Sequence, residues 1–326
     1  TRFKATDTYN AGSVTTSITL ISGKWKLTES GLSISPARHW KFGTEITSTG
    51  TTGPAEAAAS LVYQWYRNND AIGGANTNKY TPVAEDIDKT LKVVLTVGGS
   101  YEWDASFNRE VSGTVGKADG PLPPATPSLS GTSHNSITVY STAKNEYARV
   151  RTPDDAFEWI EGGGVSTGFH SLLPNTTYYI YTRVKETDTQ KASEPCVTPL
   201  IVTTDKQPVT GSVSIYVFEG GDAEWGKSVK ADVTNITPAA AVPFLRYDWY
   251  VETTPLQMGP ASSYPLLEAY VGQNMTLKLS IGGSYTIPTA IQSNSIMILG
   301  KTISGTAAIG GLADEQVAEV VEQLGH

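Results

Sequence analysis

The chain has 326 residues, a formal net charge of −8 and an isoelectric point near 5.1. It carries no basic stripe, so nucleic acid is not expected as a partner, and it contains no run of about 18 apolar residues that could form a membrane-spanning helix. Abundant Thr, Ser, Gly, Tyr and Val favour strands and turns over helices, and the length predicts two to three domains.

The first 30 residues contain two short alternating runs, residues 14–20 (VTTSITL) and residues 24–27 (KWKL). Alternation of this kind predicts strands. We therefore interpret residues 1–30 as an N-terminal extra strand segment. It either adds a strand to its own module, is the remnant of a preceding repeat, or completes the sheet of a neighbouring subunit by strand addition.

An internal repeat organises the rest of the chain. Residues 61–66 (LVYQWY) match residues 245–250 (LRYDWY), 184 positions later, and residues 98–101 (GGSY) match residues 282–285 at the same offset. The apolar positions between these motifs stay in register without a gap. The sequence therefore predicts two copies of one module, at residues 31–119 and 209–299.

Both copies are predicted to be β-sandwiches. Trp65 and Trp249 lie on the alternating face that is apolar in both copies, so each is expected in a core. The paired glycines that begin at Gly98 and Gly282 predict a turn at the end of a later strand. Short strands with frequent turn signals are typical of sandwiches.

A third module is predicted between the copies, at residues 123–204, where residues 136–140 and 178–184 alternate. Pro-rich segments at 120–124 and 203–208 predict stiff linkers on either side of it. After the second copy, residues 300–326 form a C-terminal segment. Residues 313–324 within it place apolar side chains on one helical face, which predicts a short helix that packs on the second copy or contacts a partner.

The outer modules resemble the immunoglobulin-like repeats of large bacterial surface proteins. The motifs that carry this resemblance are residues 63–67 (YQWYR), 72–75 (IGGA), 80–81 (YT) and 86–91 (DIDKTL).

The middle module resembles bacterial fibronectin type III repeats through residues 173–178 (LPNTTY), 183–189 and 192–195. The resemblance places Tyr178 where this fold anchors a corner through a tyrosine hydroxyl. It implies an all-β chain of three tandem β-sandwich modules with a short C-terminal helix. Modules of this kind typically serve as spacers, adhesive stalks or accessory domains of secreted enzymes.

Cys196 is the only cysteine, so no disulfide can form within the chain. We predict that it is a small buried hydrophobic residue, with a reactive thiol as the alternative. Cysteine-poor β-modules rich in Thr and Tyr are typical of Gram-positive exteriors, so we expect an extracellular location on a bacterial surface.

Motifs for catalysis, cofactors or metals are not found in the sequence. The four histidines stand outside any nucleophile elbow or zinc-binding spacing, and His134 is interpreted as a loop residue. Residues 162–164 (GGG) lack the Lys-Ser/Thr of a phosphate loop and predict a hairpin turn. Asp154, Asp155 and Glu158 predict a solvated turn rather than a calcium site. We therefore predict no catalytic, cofactor-binding or metal-binding residue, and no enzyme activity.

Four tryptophans near loops or strand edges could stack on sugars or could be ordinary packed residues: Trp40, Trp103, Trp159 and Trp225. Trp40 and Trp225 are interpreted as equivalent positions near the start of the two copies, which favours a structural role for both.

Three functions follow from these patterns. The first is a non-catalytic structural or adhesive protein of the cell surface. The second is a self-assembling surface-layer or filament subunit joined by strand addition. The third is a carbohydrate-binding accessory region of a secreted enzyme. The expected partners are accordingly other copies of the chain, other surface proteins or polysaccharides.

Overall fold

The computed structural model describes residues 23–302 except residues 38, 105, 106 and 108. The predicted strand at 14–20 and the predicted helix at 313–324 lie outside the described residues. Contacts group the described chain into two compact units, residues 23–124 with 183–197 and residues 125–182 with 198–302. No helix in the described part is long and apolar enough to cross a membrane.

The first copy is an all-β sandwich of ten strands and two short 3-10 helices at Ala55–Ser60 and Ala84–Asp86. The strands are β1 (Trp25–Lys26), β2 (Glu29–Ser35), β3 (Trp40–Lys41), β4 (Ile46–Gly53), β5 (Leu61–Arg67), β6 (Asp70–Ala71), β7 (Lys79–Tyr80), β8 (Thr90–Val97), β9 (Tyr101–Glu102) and β10 (Glu110–Gly116). One sheet has the order β2-β4-β7 and another the order β3-β10-β8-β5-β6, while β1 pairs with β9.

The core of the first copy contains Trp65, as the alternation of β5 predicted. Trp65 is 0% exposed and its ring packs edge-on against Trp40 and stacks on Tyr80. Leu91 and Val93 of β8 complete the same core from the neighbouring strand. The turn predicted after β8 is confirmed, because Gly99 has a φ of 64° that non-glycine residues rarely adopt.

The middle module has seven strands in two sheets, ordered β11-β12-β15 and β14-β13-β16-β17. They are β11 (Leu129–Thr132), β12 (Ile137–Tyr140), β13 (Asn145–Val150), β14 (Ile160–Glu161), β15 (Ser166–Phe169), β16 (Thr177–Val184) and β17 (Leu200–Thr203). Ile137, Val139 and Ile180 are all 0% exposed and form the centre of its core.

The second copy repeats the sandwich with nine strands and 3-10 helices at Ala239–Phe244 and Glu268–Tyr270. The strands are β18 (Gln207–Pro208), β19 (Ser214–Val217), β20 (Ser228–Asp232), β21 (Leu245–Val251), β22 (Thr254–Gly259), β23 (Ser263–Pro265), β24 (Asn274–Ile281), β25 (Tyr285–Thr286) and β26 (Ile296–Met297). The sheets are β19-β20-β23 and β22-β21-β24-β26. Trp249 is 0% exposed in the core, as predicted.

Both copies begin with the same parallel pairing. In the first copy Trp25 pairs with Tyr101, and in the second copy Gln207 pairs with Tyr285, the residue equivalent to Tyr101 at the 184-residue offset. The next inward residues, Leu27 and Val209, are 2% and 1% exposed. Residues 25–27 are therefore part of the repeated architecture, and the predicted boundary at residue 30 falls inside strand β2.

The proposed equivalence of Trp40 and Trp225 is wrong. The amide of Gly43 bonds to the carbonyl of Pro82, and the amide of Gly226 bonds to the carbonyl of Leu266, which is the counterpart of Pro82. Gly43 therefore matches Gly226, at an offset of 183. Trp225 then matches Phe42, and Trp40 matches the buried Ala223.

Candidate functional site

The four candidate tryptophans have different surroundings. Trp40 is 1% exposed and its indole N–H donates to the carbonyl of Pro36 at 2.9 Å, so it is a core residue and cannot stack on a sugar. Trp103, Trp159 and Trp225 are half-buried. The Nζ atom of Lys301 lies 4.0 Å from the ring centroid of Trp225 and covers one face of it.

Other predicted features take structural positions. The hydroxyl of Tyr178 accepts a hydrogen bond from the amide of Leu173 at 2.9 Å, which confirms the expected tyrosine corner. Cys196 is 2% exposed, which confirms the prediction of a small buried hydrophobic residue. A Cβ on Gly162 would lie 2.1 Å from the carbonyl oxygen of Thr142, so this glycine permits a close backbone approach at the predicted turn.

The acidic cluster after β13 is a turn built on its own backbone. Asp155 accepts hydrogen bonds from the amides of Arg151 and Thr152 and from the Thr152 hydroxyl. The hydrogen bonds from Thr152 hold the pKa of Asp155 below its usual range. In the described part of the chain, no group of three or more His, Cys, Asp or Glu is placed to hold a metal ion.

A buried ionic cluster lies beside the core of the first copy. Asp86 is 0% exposed, and its carboxylate accepts hydrogen bonds from Arg67 Nε at 2.6 Å, the Tyr80 hydroxyl at 2.8 Å and the amide of Val83 at 2.8 Å. The hydrogen bond to Asp86 raises the pKa of Arg67. Burial, together with the hydrogen bond to Asp86, raises the pKa of Tyr80 to about 12.

The second copy has no such cluster at the same place. At the 184-residue offset, Val251 replaces Arg67 and Tyr270 replaces Asp86, while Tyr264 keeps the position of Tyr80. Val251 is 2% exposed within the core. The sandwich therefore does not require the ionic cluster, and its presence is particular to the first copy.

A cationic cleft of 410 Å³ lies at the β3–β10 edge of the first unit. It is lined by backbone and side chains of β3 and β10, together with three lysines, one histidine and one aspartate: Lys41, Lys117, Lys191, His39 and Asp88. Its geometry depends on an isolated parallel bridge between Ala118 and Gln190, which holds residues 183–197 against the end of the first copy.

Two of the cleft lysines are held by acids that do not line the cleft. Lys41 pairs with Asp119, and Lys117 pairs with Glu186 at 2.7 Å. The hydrogen bond from Lys41, reinforced by the nearby charge of Lys191, lowers the pKa of Asp119. Lys191 itself is exposed and forms no ion pair with any residue that the structure describes.

The second copy carries opposite charges at matching positions. At the 183-residue offset fixed by Gly43 and Gly226, Glu224 stands in place of Lys41 and Asp222 in place of His39. Glu224 is engaged with Thr302, whose hydroxyl donates to it at 2.6 Å. The same sandwich edge therefore accepts either sign of charge.

The two copies also differ at an outer strand. In the second copy, Asn294 bonds both the amide and the carbonyl of Ile215 and so covers the free edge of β19. In the first copy, β2 is seven residues long and its Ile34 occupies the place of Ile215. The residue that pairs with Val93 in the first copy is Val111, the counterpart of Ser293, which bonds Leu277. No described residue bonds the outward backbone groups of Ile34.

Sequence reasoning missed the cleft, the ionic cluster and the open edge. The cleft and the ionic cluster are formed by residues that are separated in the chain, such as Lys41 with Lys191 and Arg67 with Asp86. The open edge depends on which strand lies outermost in the folded sheet. The one signal available was the repeat itself, because comparing the copies reveals Lys41 against Glu224 and Asp86 against Tyr270.

Comparisons with known proteins give limited similarity. No protein-family model matches the chain, and no curated protein matches it. Among solved structures, the chain is similar to a domain segment of titin (14% identity, TM-score 0.25, covering 55% of this chain and 68% of that one). It is similar to a two-domain fibronectin type III segment of chicken tenascin (15% identity, TM-score 0.33, covering 53% of this chain and 95% of that one). It is also similar to the FN1–FN3 domains of chicken CNTN1 (10% identity, TM-score 0.24, covering 82% of this chain and 97% of that one).

Proposed function

We propose that this chain is a non-catalytic structural and adhesive protein of a bacterial cell surface, in which tandem β-sandwiches hold binding elements at a set spacing. The observation that carries the proposal is the linker between the middle module and the second copy. The amide of Thr204 bonds to Thr176, and the amide of Asp205 bonds to Ser133. Directly afterwards, Gln207 and Val209 bond into the second copy.

A linker bonded in this way is stiff for a physical reason. Each ordered backbone hydrogen bond removes torsional freedom, and Pro208 fixes a further φ angle. A spacer must keep its two ends from moving independently, and a joint bonded in this way meets that need. The short 203–208 segment therefore supports a spacing role, and the acidic surface supports solubility outside the cell.

The test is single-molecule energy transfer between the two modules that this linker joins. Dyes are attached to cysteines introduced at exposed Lys144 and Thr253 in a Cys196→Ala background. The native chain is expected to give one narrow distribution of transfer efficiency. A flexible Gly-Ser insertion after Lys206 is expected to broaden it, whereas the same insertion after Asp154, within a module, is not.

A broad distribution in the native chain, equal to that of the linker insertion, would show that the joint is flexible and would refute the spacing role. Equal broadening by both insertions would show that the 203–208 segment fixes the spacing no more than a loop inside a module does, and it would also refute the spacing role.

The open edge of β2 favours a second candidate function, self-assembly by strand addition. Unpaired backbone groups on a long edge strand are a template for another strand, and native sheets usually protect them. Here the second copy is protected by Asn294, while the first copy lacks that cover. The strand also carries no lysine or proline that would deter pairing.

Light scattering and negative-stain microscopy on the intact chain test this candidate. If β2 is the joint, Ser33→Lys is expected to abolish concentration-dependent polymers. The matched control is Ser214→Lys, at the equivalent position of the covered edge, which should leave them intact. Monomers at all concentrations, or equal effects of both variants, would exclude β2 as the joint.

A further inference from the structure

Three lysines, Lys41, Lys117 and Lys191, line the cleft at the β3–β10 edge of the first unit. Lys41 and Lys117 are braced from outside by Asp119 and Glu186, which fix their positions. Lys191 remains available, with no ion-pair partner among the described residues. Among the described residues, Asp88 is the only acid that lines the space. Three lysines and one aspartate therefore line the space, and the two acids that pair with Lys41 and Lys117 are not among its lining residues.

The fold does not require Lys41 or His39 at this edge. The equivalent edge of the second copy has Glu224 and Asp222 where the first copy has Lys41 and His39, and it forms the same backbone hydrogen bonds. A residue kept only for stability would be expected to serve the same purpose in both copies. The reversal of charge at matched positions instead indicates that the first copy uses its edge differently.

The surroundings of the cleft make this local charge unusual. The whole chain carries a net charge of −8, so its average field repels anions. A cluster of lysines in such a protein can attract an anion only within a short distance, because salt screens charges over about 8–10 Å. Binding at this place would consequently be local and sensitive to salt.

We propose that the cleft binds a small ligand of about monosaccharide size that carries an oxyanion, either a carboxylate or a phosphate. The volume of 410 Å³ lies near the lower end of the range of small-molecule pockets. Lys191 supplies an ammonium group without an ion-pair partner among the described residues, and Lys41 and Lys117 supply ammonium groups that are held by ion pairs. The inference goes beyond the proposed spacing role and holds or fails independently of it.

The experiment uses the full chain and three probes: sodium glucuronate, inorganic phosphate and neutral glucose. Binding is measured by isothermal titration calorimetry at low and at physiological salt. Saturable binding of glucuronate is expected, weakening as salt rises, with no binding of glucose. Phosphate binding equal to that of glucuronate would assign the cleft to free oxyanions, and preference for glucuronate would assign it to acidic sugars. Both outcomes support the proposal.

Two variants locate the site. Lys41→Glu introduces the residue type that the second copy already carries at this position, so the fold is expected to accept it. Lys191→Glu changes an exposed residue and serves if Lys41→Glu fails to fold. Each is expected to weaken binding about tenfold or more, because each replaces an attractive charge with a repulsive one.

Lys144→Glu is the matched control, since it changes the net charge by the same amount at an exposed position of the middle module. It should alter the affinity by less than about twofold. Absence of saturable binding by both anions, equal binding of glucose, or an equal loss in Lys144→Glu and Lys191→Glu would each overturn the proposal.

Discussion

Removing the Asp86 carboxylate should destabilise the first copy more than any other single loss of charge. In Asp86→Ala, the Tyr80 hydroxyl and the Val83 amide lose a buried acceptor, and Arg67 loses its counter-ion. Breaking a buried pair from one side costs about 3–5 kcal/mol. Because the Arg67 side chain is 32% exposed and partly solvated, we expect the lower end, about 3 kcal/mol.

The coupling between Arg67 and Asp86 is the sharper test. Arg67→Val introduces the residue that the second copy has at Val251, but it leaves the Asp86 charge buried without its partner. Removing both groups removes that penalty. The double variant should therefore be less destabilised than the sum of the single variants by about 1–3 kcal/mol.

Urea unfolding followed by hydrogen exchange and mass spectrometry can assign the effect to one copy. Peptides from β5 report on the first copy, and peptides from β21 report on the second copy and should not change. Additivity of the two substitutions within about 0.5 kcal/mol would refute the reasoning, because it would mean that the carboxylate is stabilised without Arg67.

Three further predictions concern stability. Trp65→Ala should cost about 3–5 kcal/mol, measured by thermal unfolding of the first copy, and an unchanged transition would contradict its core position. Tyr178→Phe should cost about 1 kcal/mol in the middle module by loss of the hydrogen bond from Leu173, with no change in the outer copies. The raised pKa of Tyr80 means that its neutral form is favoured in the folded state. Its contribution is thus complete below pH 10 and lost as pH rises through about 12, and Tyr80→Phe should flatten the stability profile in that interval.

The gapless part of the repeat allowed accurate prediction from sequence. Trp65, Trp249 and the turn glycines lie where one offset of 184 holds without interruption, so alternation alone placed the side chains. Tyr178 followed from a local motif, because the amide that bonds its hydroxyl belongs to Leu173, five residues earlier.

Prediction failed where the offset changes. One more residue separates the early strands from the rest of the second copy, so the 184-residue offset does not hold at Trp40, which matches Ala223 and not Trp225. A small change in register reassigns side chains between core and surface in a strand, and tryptophan identity is a poor guide across it. The partners of Asp86 were hidden for another reason, since Arg67 and Tyr80 approach it only after the sheets pack.

The direction of the strands that open and close each copy has a mechanical consequence. In the first copy, the opening strand β1 runs parallel to β9, and β3 runs parallel to the last strand, β10. Tension between the two ends pulls these strands in opposite directions along a shared axis, so their hydrogen bonds are sheared together rather than opened one at a time. No disulfide limits extension after they yield. About 90 residues at roughly 3.4 Å each have a contour length on the order of 300 Å. Unfolding of one copy under tension therefore lengthens the chain greatly before the next copy is loaded.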